Sequence, residues 1–111
     1  PLMYNAAADG KLTLRRFTDL CCTTPAKIFG LYPQKGVIAA GSDADIVIID
    51  PDQRRTISRN NMHGNVDYSA YEGFTVRGWP ILTVSRGEVI ARDGEFCGKS
   101  GRGKFLKRAK R

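Results

Sequence analysis

Histidine is nearly missing from this sequence: His63 is the only one in 111 residues. Cysteine is scarce and poorly spaced, with Cys21, Cys22 and Cys97 and no Cys-x-x-Cys pair. Tetrahedral zinc built from Cys/His pairs is therefore not expected. The odd thiol count, with two thiols adjacent, argues against a disulfide framework and points to a reducing compartment, the cytoplasm. No window approaches the ~20 consecutive apolar residues of a membrane span. No short apolar stretch follows a basic amino end, as it would in a secretory signal. The chain opens on Pro1 rather than Met, which suggests processing or a piece of something longer.

What is present is ordinary for a soluble globular chain: 41% hydrophobic and 26% charged residues, enough for one domain with a modest core. The net charge of +7 is unevenly placed. Pro1 to Phe96 carries eleven basic and eleven acidic residues and is neutral. The excess lies in Lys99, Arg102, Lys104, Lys107, Arg108, Lys110 and Arg111, with no acid among them. A nucleic-acid reader spreads its charge over a face with aromatic or groove-reading elements. Here only Phe105 interrupts a Gly-rich basic run, so nucleic acid is not the expected partner and a solvated or partner-docked tail is.

The first third reads helical. Leu14, Phe17, Leu20 and Cys21 recur on one helical face behind Thr13, a hydroxyl N-cap. Thr24-Pro25 is a second helix start, and Gly30 ends that helix before Pro33. From Gly36 the pattern changes. Ser42-Asp43-Ala44-Asp45 is turn chemistry, and Ile46 to Ile49 is a branched run stopped by Asp50-Pro51. Such a run predicts a central strand buried on both faces. A charge placed at Ile48 would then cost roughly 3 kcal/mol or more. Residues 52–70 read as polar and mixed, with a loop at Asn60, Asn61, Gly64 and Asn65. Phe74 to Arg77 reads as a short strand closed by Gly78. Ile81 to Val84 and Glu88 to Ala91 form a meander with turns at Arg86-Gly87 and Asp93-Gly94. The fold class is α+β, with more apolar strand than the short helices can cover.

No catalytic constellation is complete. Gly98-Lys99-Ser100 lacks the upstream glycine of a phosphate loop, and Gly101 and Gly103 disfavour the helix that must follow. His63 has Ser58, Asp67 and Ser69 as sequence neighbours, but a relay is a matter of spatial geometry. Asp43 is read as capping its turn through backbone amides, and Asp45 as opening the strand. Tyr68, Tyr71, Phe74 and Trp79 are expected in a core or a subunit contact, Trp79 anchoring a strand start.

The blocks from Thr24-Pro25-Ala26-Lys27-Ile28-Phe29-Gly30 through Gly41-Ser42-Asp43-Ala44-Asp45-Ile46-Val47-Ile48-Ile49-Asp50 resemble the carboxyl-terminal part of cyclic amidohydrolases. Tyr71-Glu72-Gly73, Arg77-Gly78-Trp79-Pro80, Asp93-Gly94-Glu95-Phe96 and Gly101-Arg102-Gly103-Lys104-Phe105 narrow the resemblance to the dihydropyrimidinase/hydantoinase branch. It implies the terminal helices of an (α/β)8 barrel in 1–34 and the carboxyl-terminal strands of a β-sandwich in 35–96. Residues 97–111 would be an extended basic tail. The implied parent is a cytoplasmic enzyme of pyrimidine degradation that opens cyclic ureides to N-carbamoyl amino acids with two zinc ions, and assembles as a homotetramer. No position here matches the family's metal, substrate or catalytic motifs, so this chain by itself is expected to hold no zinc and to be inactive. Its partners would be the rest of the parent chain and a neighbouring subunit, contacted through Phe105, Leu106, Arg102 and Lys104. The alternative reading is the matching segment of a non-catalytic, collapsin-response-mediator-like binding scaffold.

Overall fold

A computed structural model describes residues 1–62 and 64–108. His63 and residues 109–111, including the basic Lys110 and Arg111, lie outside the described residues.

The chain begins with a helix the hydropathy pattern does not announce, α1 (Leu2–Ala8). Seven residues are too few to hold a helix in isolation. This one is held by the sheet: Leu2 packs on the core, and Asn5 Oδ1 accepts a 2.8 Å bond from the Arg77 amide. Thr13 caps α2 (Leu14–Thr18) as expected, its Oγ1 accepting from the Arg16 amide at 3.1 Å. The predicted break before Thr24 is absent. A π-helical turn (Asp19–Thr23) carries α2 directly into α3 (Thr24–Ile28), and Thr23 itself is helical at φ −69°, ψ −48°. Pro25 has no amide to donate, and in an α-helix its ring crowds the carbonyl four residues back. The wider turn relieves this, with the Thr24 amide reaching Asp19 O. Thr24-Pro25 thus follows a bulge inside one helical run rather than starting a separate helix. Gly30, at φ +68°, ends the run as expected.

Four strands form one antiparallel sheet in the order β1 (Ile46–Thr56), β2 (Thr75–Ser85), β3 (Glu88–Arg92), β4 (Glu95–Phe96). The molecule is α+β, with few helices and an antiparallel sheet. Both expected turns are there: Arg86-Gly87 and Asp93-Gly94 have positive φ at both positions, the geometry that matches strand twist in two-residue hairpins.

Three strand expectations are corrected. Ile46 to Ile49 is not central but belongs to an edge strand, with Val47 53% and Ile48 46% exposed, because no described element covers them. Asp50-Pro51 does not stop β1. Residues 51–53 bulge between the Asp50↔Trp79 and Arg54↔Arg77 pairs, and proline is tolerated at an edge bulge. Phe74 to Arg77 and Ile81 to Val84 do not form separate strands. They fuse through Gly78, Trp79 and Pro80 into β2, with Ile81 as the extra residue at a second irregularity.

The core is small: Ile57, Val76 and Trp79, backed by Leu2. Gly78 is required where α1 crosses β2. Its φ is +86°, and a Cβ there would lie 2.1 Å from Tyr4 Cε1. The chain just after β1 stays tied to the ladder: the Ile57 amide donates to Phe74 O at 2.8 Å, and the Arg59 amide to Glu72 Oε2 at 2.8 Å.

Candidate functional site

Among the described residues, no group of His, Cys, Asp and Glu is arranged to hold a metal ion, and no helix is long and apolar enough to cross a membrane. The shallow clefts among the described residues include two on the sheet and the connection after β1. One, about 200 Å³, runs along β2 from Trp79 to Thr83, with Asn61, Thr83 and Asp93 among its polar residues. The other, about 300 Å³, is lined by Arg59, Met62, Val66 and Tyr68. Both are lined mainly by apolar surface, whereas pockets that act on small molecules need convergent polar groups.

The polar chemistry concentrates where the helical part, the sheet and the tail meet. Lys35 bridges Asp43 at 2.9 Å and also pairs with Asp45. Gln34 Nε2 donates to Asp43 Oδ2 at 3.2 Å. Asp45 Oδ1 accepts the Arg86 amide at 2.8 Å. The expected roles of the two carboxylates are therefore partly exchanged: Asp45 takes the backbone amide, and Asp43 is tied by side chains. Desolvation alone would raise the Asp45 pKa, but the Lys35 ammonium, the Arg86 amide and Ser85 outweigh it and hold it below the usual carboxylate range. Desolvation also works against charged Lys35, and bonds and charge from Asp45 and Asp43 outweigh it, raising its pKa. Desolvation, then the neighbouring Cys21, push the Cys22 thiol up, away from the reactive thiolate.

The tail residues singled out from sequence separate into two kinds. Arg102 turns back onto its own chain, donating from Nη2 to Ser85 O at 2.6 Å and from Nε to Glu88 Oε2 at 3.3 Å. Leu106 is half-buried, Lys104 is exposed and Phe105 is 94% exposed. Gly98-Lys99-Ser100 is followed by a turn and an irregular segment, not by the helix a phosphate loop requires. The aromatic group divides: Trp79 is core, whereas Tyr68, Tyr71 and Phe74 are exposed, the last two in an edge-to-face pair. Sequence reasoning missed Asn5 and Tyr4, which fix α1 to β2. Their signal was only the alanine-rich run around them.

The sequence profile described as the Amidohydrolase family matches residues 2–90. D-phenylhydantoinase of Escherichia coli O1:K1 / APEC is 50% identical over 107 residues, which is 96% of this chain and 23% of that protein. A solved D-hydantoinase superposes with a TM-score of 0.95 at 47% identity, covering 98% of this chain and 24% of its own. The D-hydantoinase (dihydropyrimidinase) from Thermus sp. gives 0.91 at 48% identity, over 96% and 23%. The chain spans about a quarter of the length of the relatives it matches.

Proposed function

The chain belongs to the amidohydrolase family, and from that membership we propose that it is the structural and assembly segment of a hydantoinase-like hydrolase. The parent would open cyclic ureides to N-carbamoyl amino acids in the cytoplasm, in pyrimidine degradation. The observation that carries this reading is agreement in both sequence and backbone with hydantoinases over nearly the whole chain. Residues 1–34 would complete the helical end of a catalytic barrel, and 35–96 would be the carboxyl-terminal strands of a β-sandwich. The exposed Val47 and Ile48 on edge strand β1 support this, because a second layer from the rest of the chain would bury them.

The two zinc ions implied by the family do not fit the described residues. Asp43 and Asp45 are already engaged by Lys35, and the Cys21–Cys22 pair and Cys97 join no cluster that could ligate an ion. Metal and catalytic groups would therefore come from the rest of the enzyme. The tail is read as a contact with a neighbouring subunit of a homotetramer, Phe105 and Leu106 supplying apolar anchors and Lys104 the charge. Arg102 would act from its place on the chain's own sheet. The hydantoinase names of the relatives favour the hydrolase over a non-catalytic scaffold.

The test is complementation. D-phenylhydantoinase lacking its matching segment is co-expressed with this chain, and ring opening of phenylhydantoin is measured. Restored turnover is expected, with none from the chain alone. The reading fails if the chain restores nothing while the enzyme's own segment, supplied the same way, does.

A further inference from the structure

Arg86 donates to the Arg102 carbonyl, and Arg102 donates to the Ser85 carbonyl beside Arg86. Arg86, in the β2–β3 turn, donates from Nη2 to Arg102 O. Arg102, in the tail, returns Nη2 to Ser85 O at 2.6 Å and places Nε 3.3 Å from Glu88 Oε2, so it engages both sides of the turn. The Arg102 side chain is only 19% exposed, in a tail most of which is open to solvent. The turn is braced from behind: the Arg86 amide is held by Asp45 and the Gly87 amide by Ala44 O at 3.1 Å. Lys35 holds Asp45 in turn. We propose that these two arginines form a clasp that fixes the base of the basic tail to the β2–β3 turn and sets the direction in which Phe105 leaves the body.

The chemistry requires arginine. A guanidinium presents donors in a rigid planar fork and can bind a carbonyl and a carboxylate at once, whereas an ammonium is a point charge. Two guanidiniums side by side repel, and the Glu88 carboxylate and the accepting carbonyls offset that repulsion. Gly101 and Gly103 flank Arg102, and glycine has the freest backbone. Before the clasp, the tail is tied at its start by the Cys97 amide, which donates to Ile90 O at 2.9 Å, and the flexible Gly98, Gly101 and Gly103 follow. With the clasp, residues 97–103 are ordered before any partner arrives, which removes that entropy cost from docking. This last consequence rests on the subunit-contact reading, but the clasp itself does not.

The full chain is labelled with ¹⁵N, and steady-state heteronuclear NOEs are read at Gly101 and Gly103. In the unaltered chain they should match that of Gly87 in the braced turn. In Arg102→Lys and Arg102→Gln they should fall to the level of Lys107, and tryptic cleavage after Lys99 should accelerate about tenfold, the factor for losing one charge-assisted bond. Trp79 fluorescence reports whether the sheet stays intact, and Arg86→Lys gives a second route if an Arg102 variant unfolds. The clasp is refuted if these glycines are already as mobile as Lys107 in the unaltered chain. It is equally refuted if a folded variant leaves them rigid. Sedimentation of the same variants separates the two readings: a loosened tail with unchanged association keeps the clasp and overturns subunit docking.

Discussion

At Gly78 two requirements meet on one residue, a φ of +86° and room for the Tyr4 ring. Gly73 shares the first requirement, with φ +83°, and has nothing within 4 Å of a Cβ. Gly73→Ala should therefore cost about 1 kcal/mol from backbone strain alone, and Gly78→Ala roughly 3 kcal/mol, since the ring must also leave its seat. Urea unfolding followed by Trp79 fluorescence measures both, and equal losses would mean that α1 is not docked on β2. Asp45 makes a pH prediction. Its pKa is lowered in the folded chain, so its contribution is complete above the ordinary carboxylate value and lost as pH falls through the lowered one. Lys35 is raised, so its contribution is complete below the ordinary ammonium value and lost as pH rises through the raised one. The acid-side window thus lies below about pH 4 and the alkaline one above about pH 10.5. Asp45→Asn should flatten the fall of the thermal midpoint below about pH 4 relative to the unaltered chain.

Among the elements, β1 departs most from its sequence signal. An apolar run of Ile-Val-Ile-Ile predicts burial on both faces, yet Ile48 is 46% exposed. Ile48→Asp should accordingly cost only about 1 kcal/mol in this chain, as at a half-exposed edge position, rather than the several expected for a buried strand. A differential scanning melt checks this, and a loss of more than about 3 kcal/mol would mean that another copy or segment covers the face. The helical run from Leu14 to Ile28 teaches a related lesson. Thr13 was legible as a cap because its bond is local, to Arg16. The π-helical turn was not, because proline before a helical stretch reads the same whether the helix starts there or merely widens to admit it.

Over the whole molecule, the described tail leaves the body through Arg102 and presents Phe105 to solvent. Among the described residues only four side chains, Ala26, Ile57, Val76 and Trp79, are buried, and the tail supplies none of them. Deleting residues 99–111 should therefore leave the Trp79 unfolding midpoint within about 0.5 kcal/mol of the full chain. If the tail is a subunit contact, the same deletion in the longer enzyme should weaken assembly by tenfold or more, and Phe105→Ala should reproduce about half of that loss in free energy. Sedimentation at several concentrations reads it, and unchanged assembly would identify a solvated end.

The sequence alone determined what depends on neighbours in the chain. The Thr13 cap, the stop at Gly30, both two-residue turns and the neutral body with its basic tail follow from residues a few positions apart. The family resemblance, too, was carried by contiguous blocks from Thr24 to Phe105. Tertiary structure decided what depends on residues distant in sequence. Asn5 meets the Arg77 amide, Asp45 meets the Arg86 amide, and Arg102 closes on Ser85. Strand length was decided there as well, since Pro51 and Gly78 interrupt a strand when read alone but lie opposite one another in a paired bulge. Local pattern reports what a residue prefers, whereas burial, pairing and charge neutralisation depend on what the fold brings against it.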